Sequence, residues 1–161
     1  MTMRHLDPER LGELFSAHAA VLVLFARARV ERSEAEDLVQ EAFVRLMTAK
    51  PEPTDPRAWL YTVVRRLALD RGRRKRRQVR SDADPCFSPG RPGDEEARRV
   101  EQMLRSLPGE EREVLILRVW GGLTLEQVGR VLGLSTATTH RRYREALAQA
   151  GRSMEDACRT T

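Results

Sequence analysis

Between Leu125 and Tyr143 lie apolar residues, a small residue and a glycine at the spacing that two helices joined by a tight turn require. Val128 and Leu132 face inward, Gly129 is the small residue where the helices cross, Gly133 makes the turn and Leu134 packs behind it. Tyr143, Ala146 and Leu147 are expected to hold the second helix down. Thr136, Ala137, His140, Arg141 and Arg144 are left outward on its first turns, with Arg142 counted among the same basic side chains. A helix lying in the major groove reads base edges from those positions, and a bidentate arginine on guanine discriminates by about 1–3 kcal/mol. A helical hairpin with a glycine turn and no nucleic-acid partner is the competing reading. Spacing, turn and basic outer face together favour DNA.

Two other clusters carry chemistry of a less specific kind. Arg71 to Arg80 holds seven basic residues in ten. Each phosphate such a run neutralises releases counterions, so its contribution to binding is additive and blind to sequence. A solvated helix end, where cations suit the macrodipole, would look the same. Asp37, Gln40, Glu41, Val44 and Thr48 form a mixed acidic and apolar stripe opposite a core face. It is a docking face or an ordinary solvated one.

The remaining chemistry is negative. No Ser/His/Asp set, metal-ligand cluster or phosphate-cradling glycine loop is found, so no catalytic residue, metal or cofactor is expected. His18 lies on an apolar stripe and reads as a packed core histidine. Cys86 and Cys158 stand 72 positions apart in polar surroundings, forming neither a disulfide framework nor a metal knuckle. The 161 residues carry a net charge of +5, with 33% of the chain charged. The longest apolar run, Ala19 to Ala26, has eight residues, against about 20 for a spanning helix. Arg4, Asp7, Glu9 and Arg10 interrupt any leader-like start. The expectation is a cytoplasmic, basic protein with no membrane partner.

The elements that must position these clusters are helices. Asp7-Pro8 starts one, with Leu11, Leu14, Phe15, His18, Leu22 and Phe25 at helical spacing. Ser33 with Glu36 has the form of a capping box and opens a second. Its inward stripe is Ala35, Leu38, Val39, Ala42, Phe43, Leu46 and Met47. Pro51 and Pro53 break the chain and Asp55-Pro56 restarts it, Trp59, Leu60, Val63, Val64 and Leu67 leading to the basic run. Ala97, Val100, Met103, Leu104 and Leu107 form a stripe stopped by Pro108-Gly109. Val114 to Leu117 could be a strand by composition, but the acidic lead-in and the Gly121-Gly122 stop suit a buried helix better. Thr124 with Gln127 forms another capping box, and Ser135 caps a last helix running to about Ala150. The fold class is all-α. Residues 81–95 carry net −3, three prolines and one large apolar side chain, Phe87, too little to offset the entropy of ordering them. A domain over 1–80, a flexible linker over 81–96 and a domain over 97–161 follow.

With those features in hand, DLVQEAFVRL at 37–46, RAWLYTVVRRLALDRGRR at 57–74 and LPGEEREVLILRVWGGLTLEQVGRVLGLSTATTHRRYREAL at 107–147 resemble the bacterial sigma-70 family. The two-domain form is similar to its extracytoplasmic-function group. The resemblance implies an RNA polymerase specificity subunit: a region-2 domain on the β′ clamp that melts the −10 element, and a region-4 domain on the β flap that reads the −35 element. It implies that Asp37, Leu38, Gln40 and Glu41 bind core polymerase. It also implies that Arg57, Trp59, Thr62, Arg65 and Arg66, with Arg73 and Arg74, serve the −10 element, and that Thr136, Ala137, His140, Arg141 and Arg144 serve the −35 element. An aromatic at Trp59 has a physical use as a stacking surface for an unpaired base, although its periodicity also allows a core position. An anti-sigma factor and a monomeric free state belong to the same expectation. The chain departs from the family pattern at Arg66, usually Asn, at Thr139, often aliphatic, and at His140, often Lys. A two-component-type regulator shares the helix-turn-helix but needs a βα receiver upstream, and no strand pattern occurs there. A nucleoid or RNA-binding protein needs only the basic patches and leaves the 37–46 helix unexplained.

Overall fold

A computed structural model of the chain describes residues 6–78 and 95–159. Most of the expected linker over 81–96, together with Arg80, Cys86 and Phe87, lies outside the described residues. The chain divides into two units, Met1–Pro85 and Cys86–Thr161. Every regular element among the described residues is a helix.

The first unit consists of α1 (Pro8–Ala26), α2 (Arg32–Thr48) and α3 (Pro56–Gln78), each packed on the other two. Asp7 caps α1, its carboxylate accepting from the Arg10 N–H at 2.8 Å. Asp55 does the same for α3 through the Ala58 N–H at 3.1 Å. The expected capping box at Ser33 and Glu36 does not form. Glu31 takes the extended cap conformation and α2 begins at Arg32, so Ser33 is already inside the helix. Glu36 instead accepts from Arg32 Nε at 3.1 Å, one turn back. The inward stripe of α2 holds for Ala35, Leu38, Val39, Ala42, Phe43 and Leu46, all buried, and fails for Met47, which is 64% exposed. Leu22, Phe25, Leu60, Tyr61 and Val64 complete the core, each large apolar side chain contributing about 1.5–3 kcal/mol on burial.

The second unit consists of α4 (Glu95–Ser106), α5 (Gly109–Val119), α6 (Leu125–Leu132) and α7 (Thr136–Arg159). Helix α4 starts two residues inside the stretch expected as linker, with Glu95 and Glu96 in its first turn, where acids suit the helix dipole. Val114 to Leu117 are buried in a helix, as the Gly stop implied. Helix α7 packs on α4, α5 and α6 and runs nine residues past Ala150. Arg112 ties α4 to α5: its guanidinium donates to the carbonyls of Leu104 at 2.7 Å, Leu107 at 3.0 Å and Arg105 at 3.2 Å, completing the bonding at the end of α4, where the Leu107 N–H also reaches the Leu104 carbonyl at 3.3 Å.

Candidate nucleic-acid interface

The turn between α6 and α7 is built as the residues require. Thr124 and Gln127 form the reciprocal capping box that starts α6. Gly133 ends it at φ 69°, and the Leu134 N–H returns to the Gly129 carbonyl at 2.8 Å. A β-carbon on Gly129 would lie 2.9 Å from both the Leu134 carbonyl oxygen and Thr139 Oγ1. The close crossing therefore has room for glycine alone. Ser135 caps α7 through the Thr138 N–H at 3.2 Å. Thr139, where the family pattern is aliphatic, is fully buried and satisfies its hydroxyl on the Ser135 carbonyl at 2.9 Å.

The five residues expected to read bases, Thr136, Ala137, His140, Arg141 and Arg144, are all exposed on α7. Arg142 is not among them. Its Nη1 binds Glu111 Oε1 at 3.2 Å and also contacts Glu110 Oε2, both at the start of α5. Arg142 shares a face with buried Thr139, Ala146 and Ala150, as steps of three and four along a helix dictate. Leu147, expected to hold the helix down, is 45% exposed; Ala146 and Ala150 do that work.

On α3, Trp59, Thr62, Arg66 and Arg73 recur at helical intervals and share one side, with Arg74 beside Arg73. Trp59 is half-buried, Arg66, Arg73 and Arg74 are exposed, and Thr62 donates its hydroxyl to the Ala58 carbonyl at 3.0 Å. Arg57 and Arg65 do not join them. Arg57 sits more than a quarter-turn away, its charge acting on His18 and Tyr61. Arg65 is half-buried. Within the basic run, Lys75 turns back to α2, its ammonium 2.9 Å from Glu34 and 4.0 Å from Glu31. The hydrogen bond to Glu34 holds its pKa above the ordinary lysine value.

His18 is half-buried, edge-on to Tyr61 at 6.2 Å between ring centroids, and Phe25 meets Tyr61 at 5.7 Å. Burial, and then the Arg57 charge, push the His18 pKa below its ordinary value. Burial pushes the Tyr61 hydroxyl up. This is the packed histidine expected from its stripe.

The outer stripe of α2 presents Asp37, Gln40, Val44 and Thr48 to solvent. Glu41 is half-buried and accepts from Arg45 Nη2 at 2.6 Å. Leu38 is only 1% exposed, so it holds the helix in the core and cannot itself meet a partner. Val44 and Met47, 59% and 64% exposed, put uncovered apolar surface beside the acidic residues. The sequence pattern turns Met47 inward, but in the last turn of α2 Leu46 takes the buried place and leaves Met47 outside.

The comparisons with known proteins divide the chain in the same place. The sigma-70 region 2 family model matches residues 14–78 and the sigma-70 region 4 model residues 103–149. The chain is 30% identical over 156 residues to the ECF RNA polymerase sigma factor ShbA of Streptomyces griseus, spanning 83% of this chain and 82% of that protein. It is 30% identical over 150 residues to the ECF RNA polymerase sigma factor SigL of Mycobacterium tuberculosis, with the same coverage of each. Among solved structures it is similar to the sigma factor RpoE bound to the anti-sigma factor NepR from Bartonella quintana, with a TM-score of 0.70 at 22% identity, covering 92% of this chain and 98% of that one. It is also similar to CnrH bound to the cytosolic domain of CnrY, with a TM-score of 0.63 at 26% identity, covering 93% and 90%. A response-regulator origin is not favoured, because a region-2 match and three helices stand where a βα receiver would be. The chain belongs to the sigma-70 family, in its extracytoplasmic-function group, and is a transcription initiation factor.

Proposed function

We propose that the chain holds core RNA polymerase with the outward stripe of α2 and reads promoter DNA at two places, with α3 on the −10 element and the first turns of α7 on the −35 element. The observation that carries this reading is the division of faces on α2. Ala35, Leu38, Val39, Ala42, Phe43 and Leu46 are used up in the core, while Asp37, Gln40 and Val44 remain outward with no role in the fold. Asp37, Gln40 and Glu41 supply polar contacts to the β′ clamp and Val44 supplies apolar area, with Leu38 fixing the helix from within. The second unit rests on the β flap. Trp59 offers a ring to a base unstacked from the −10 element, flanked by Arg66, Arg73 and Arg74 for phosphates. Arg57 and Arg65 act at a distance from that ring.

The factor works in the cytoplasm as a monomer until it meets polymerase, and an anti-sigma factor holds it when idle. The similar RpoE of Bartonella quintana was solved as a complex with the anti-sigma factor NepR. No helix among the described residues is long and apolar enough to cross a membrane. It is a specificity subunit rather than an enzyme, and needs no cofactor.

The test is Asp37→Lys with Glu41→Lys in the full chain. Co-purification with core polymerase and run-off transcription should both fall sharply, with helical circular dichroism unchanged. If the double variant binds core as the parent does, the stripe is an ordinary solvated surface.

A further inference from the structure

Arg142 stands between two residues expected to touch DNA, yet its guanidinium points the other way. Its side chain is 20% exposed and that of Glu111 12%, and its Nε is shielded from solvent. Both carboxylates it meets lie in the first turn of α5, a position acids favour because of the helix dipole. Arg142 is thus a charged anchor between the reading end of α7 and the start of α5, where Thr139, Ala146 and Ala150 add small side chains on the same face. Those contacts pack closely but are not directional, and the hydrogen bond from Gln149 Nε2 to the Ser106 carbonyl at 2.6 Å lies two turns further along α7. A guanidinium between two carboxylates fixes the rotation at the reading end, because its hydrogen bonds are directional.

From this we propose that Arg142, with Glu110 and Glu111, is a positioning device for −35 recognition: it sets the rotation of α7 that aims His140, Arg141 and Arg144 at base edges, and makes no DNA contact itself. The proposal rests on the −35 role of α7. It separates Arg142 from its basic neighbours by a signature that electrostatics alone does not give. An arginine on a phosphate adds about 0.9 to the salt slope of binding and nothing to discrimination. An arginine that aims a neighbour adds to discrimination and leaves the slope alone. The carboxylates sharpen the contrast, since removing negative charge near DNA should tighten binding to every sequence if charge were all that mattered.

The experiment measures holoenzyme binding to a panel of −35 variants across a salt series. It uses the parent, Arg142→Gln, Arg142→Lys and the double variant Glu110→Gln with Glu111→Gln. Arg142→Gln and the carboxylate double variant should each lower discrimination between the preferred and substituted −35 sequences about tenfold, within what one misaimed bidentate contact loses. Their salt slopes should match the parent's, and Arg142→Lys should recover part of the loss. Circular dichroism confirms that α7 stays helical, and the carboxylate pair and the lysine variant carry the test should Arg142→Gln not fold. A flattened slope with discrimination intact makes Arg142 a phosphate contact and overturns the proposal, as does parental discrimination in the carboxylate variant. A parent that does not discriminate among −35 sequences overturns the −35 role and the positioning device together.

Discussion

Gly129→Ala and Gly151→Ala make the same chemical change in the same unit and should move stability in opposite directions. At Gly151, in α7, an added β-carbon meets nothing within 4 Å. Replacing glycine in a helix then stabilises by about 0.5–1 kcal/mol through reduced freedom of the unfolded chain. At Gly129 the same gain is available, but the new carbon lies 2.9 Å from the Leu134 carbonyl oxygen and 2.9 Å from Thr139 Oγ1. The first is backbone inside the turn and the second a buried hydroxyl already bonded to the Ser135 carbonyl, so neither can give way freely. Relieving the clash means separating α6 from α7, and overpacking of this kind costs about 1–3 kcal/mol. The net for Gly129→Ala is a loss of up to about 2.5 kcal/mol, combining those two ranges. For a unit of this size each kcal/mol shifts the midpoint by about 4–8 °C. Thermal unfolding of the full chain, followed by calorimetry, should show the second unit's transition lowered by Gly129→Ala and raised by Gly151→Ala. If Gly129→Ala raises it as well, the close crossing is not what holds glycine there.

Further expectations rest on other parts of the chain. His18 is depressed in the folded state relative to its ordinary pKa, so folding disfavours its proton. Its share of stability is complete above about pH 6.5 and is lost as the pH falls through the folded value; the first unit's midpoint should drop from pH 7.5 to 5, and less so in His18→Phe. Trp59→Ala should lower permanganate reactivity of the −10 element without weakening core binding, since base–aromatic stacking is worth about 1–3 kcal/mol; unchanged reactivity would assign the ring to packing. Arg73→Ala with Arg74→Ala should flatten the salt slope alike for all promoters, whereas Arg141→Ala should relax −35 discrimination. Uniform loss in both sets would remove the distinction between the two helices. Lys75→Ala removes the partner of a Glu34 carboxylate that is itself only 19% exposed, so it should lower the first unit's stability by about 1 kcal/mol or more, which an unchanged first-unit midpoint would contradict.

Local signals in the sequence were followed wherever one residue's chemistry decides the backbone. Asp7, Asp55, Thr124 and Ser135 cap the helices they were expected to cap, and Gly133 takes the left-handed turn. Ser33 misled because Glu31, Arg32 and Ser33 are all able to start α2. The choice falls to the turn that delivers the chain from α1, which no local pattern encodes. Edges of stripes were the second weakness. Phe15, Met47 and Leu147 keep the helical phase of core residues but stay 45–64% exposed, Phe15 even with its ring edge-on to Phe43 of α2. The sequence pattern ends α7 near Ala150, while the helix runs on to Arg159, packed against α4. Arg142 was legible in phase, three residues after Thr139 and four before Ala146, but its charge suggested DNA. The partner that claims it lies 31 residues away. The outer stripe of α2 was legible as a surface pattern, and the polymerase-binding role proposed for it rests on family resemblance.

Helix α7 is 24 residues, about 36 Å of one rod. One of its sides touches α4, α5 and α6, and the other carries Thr136, Ala137, His140, Arg141 and Arg144 in water. Substitutions on the wet side cost the fold within about ±0.5 kcal/mol. If those residues read the −35 element as proposed, promoter preference can drift one side chain at a time while the unit stays folded, and a lineage can duplicate such a factor and retarget one copy without passing through an unstable intermediate.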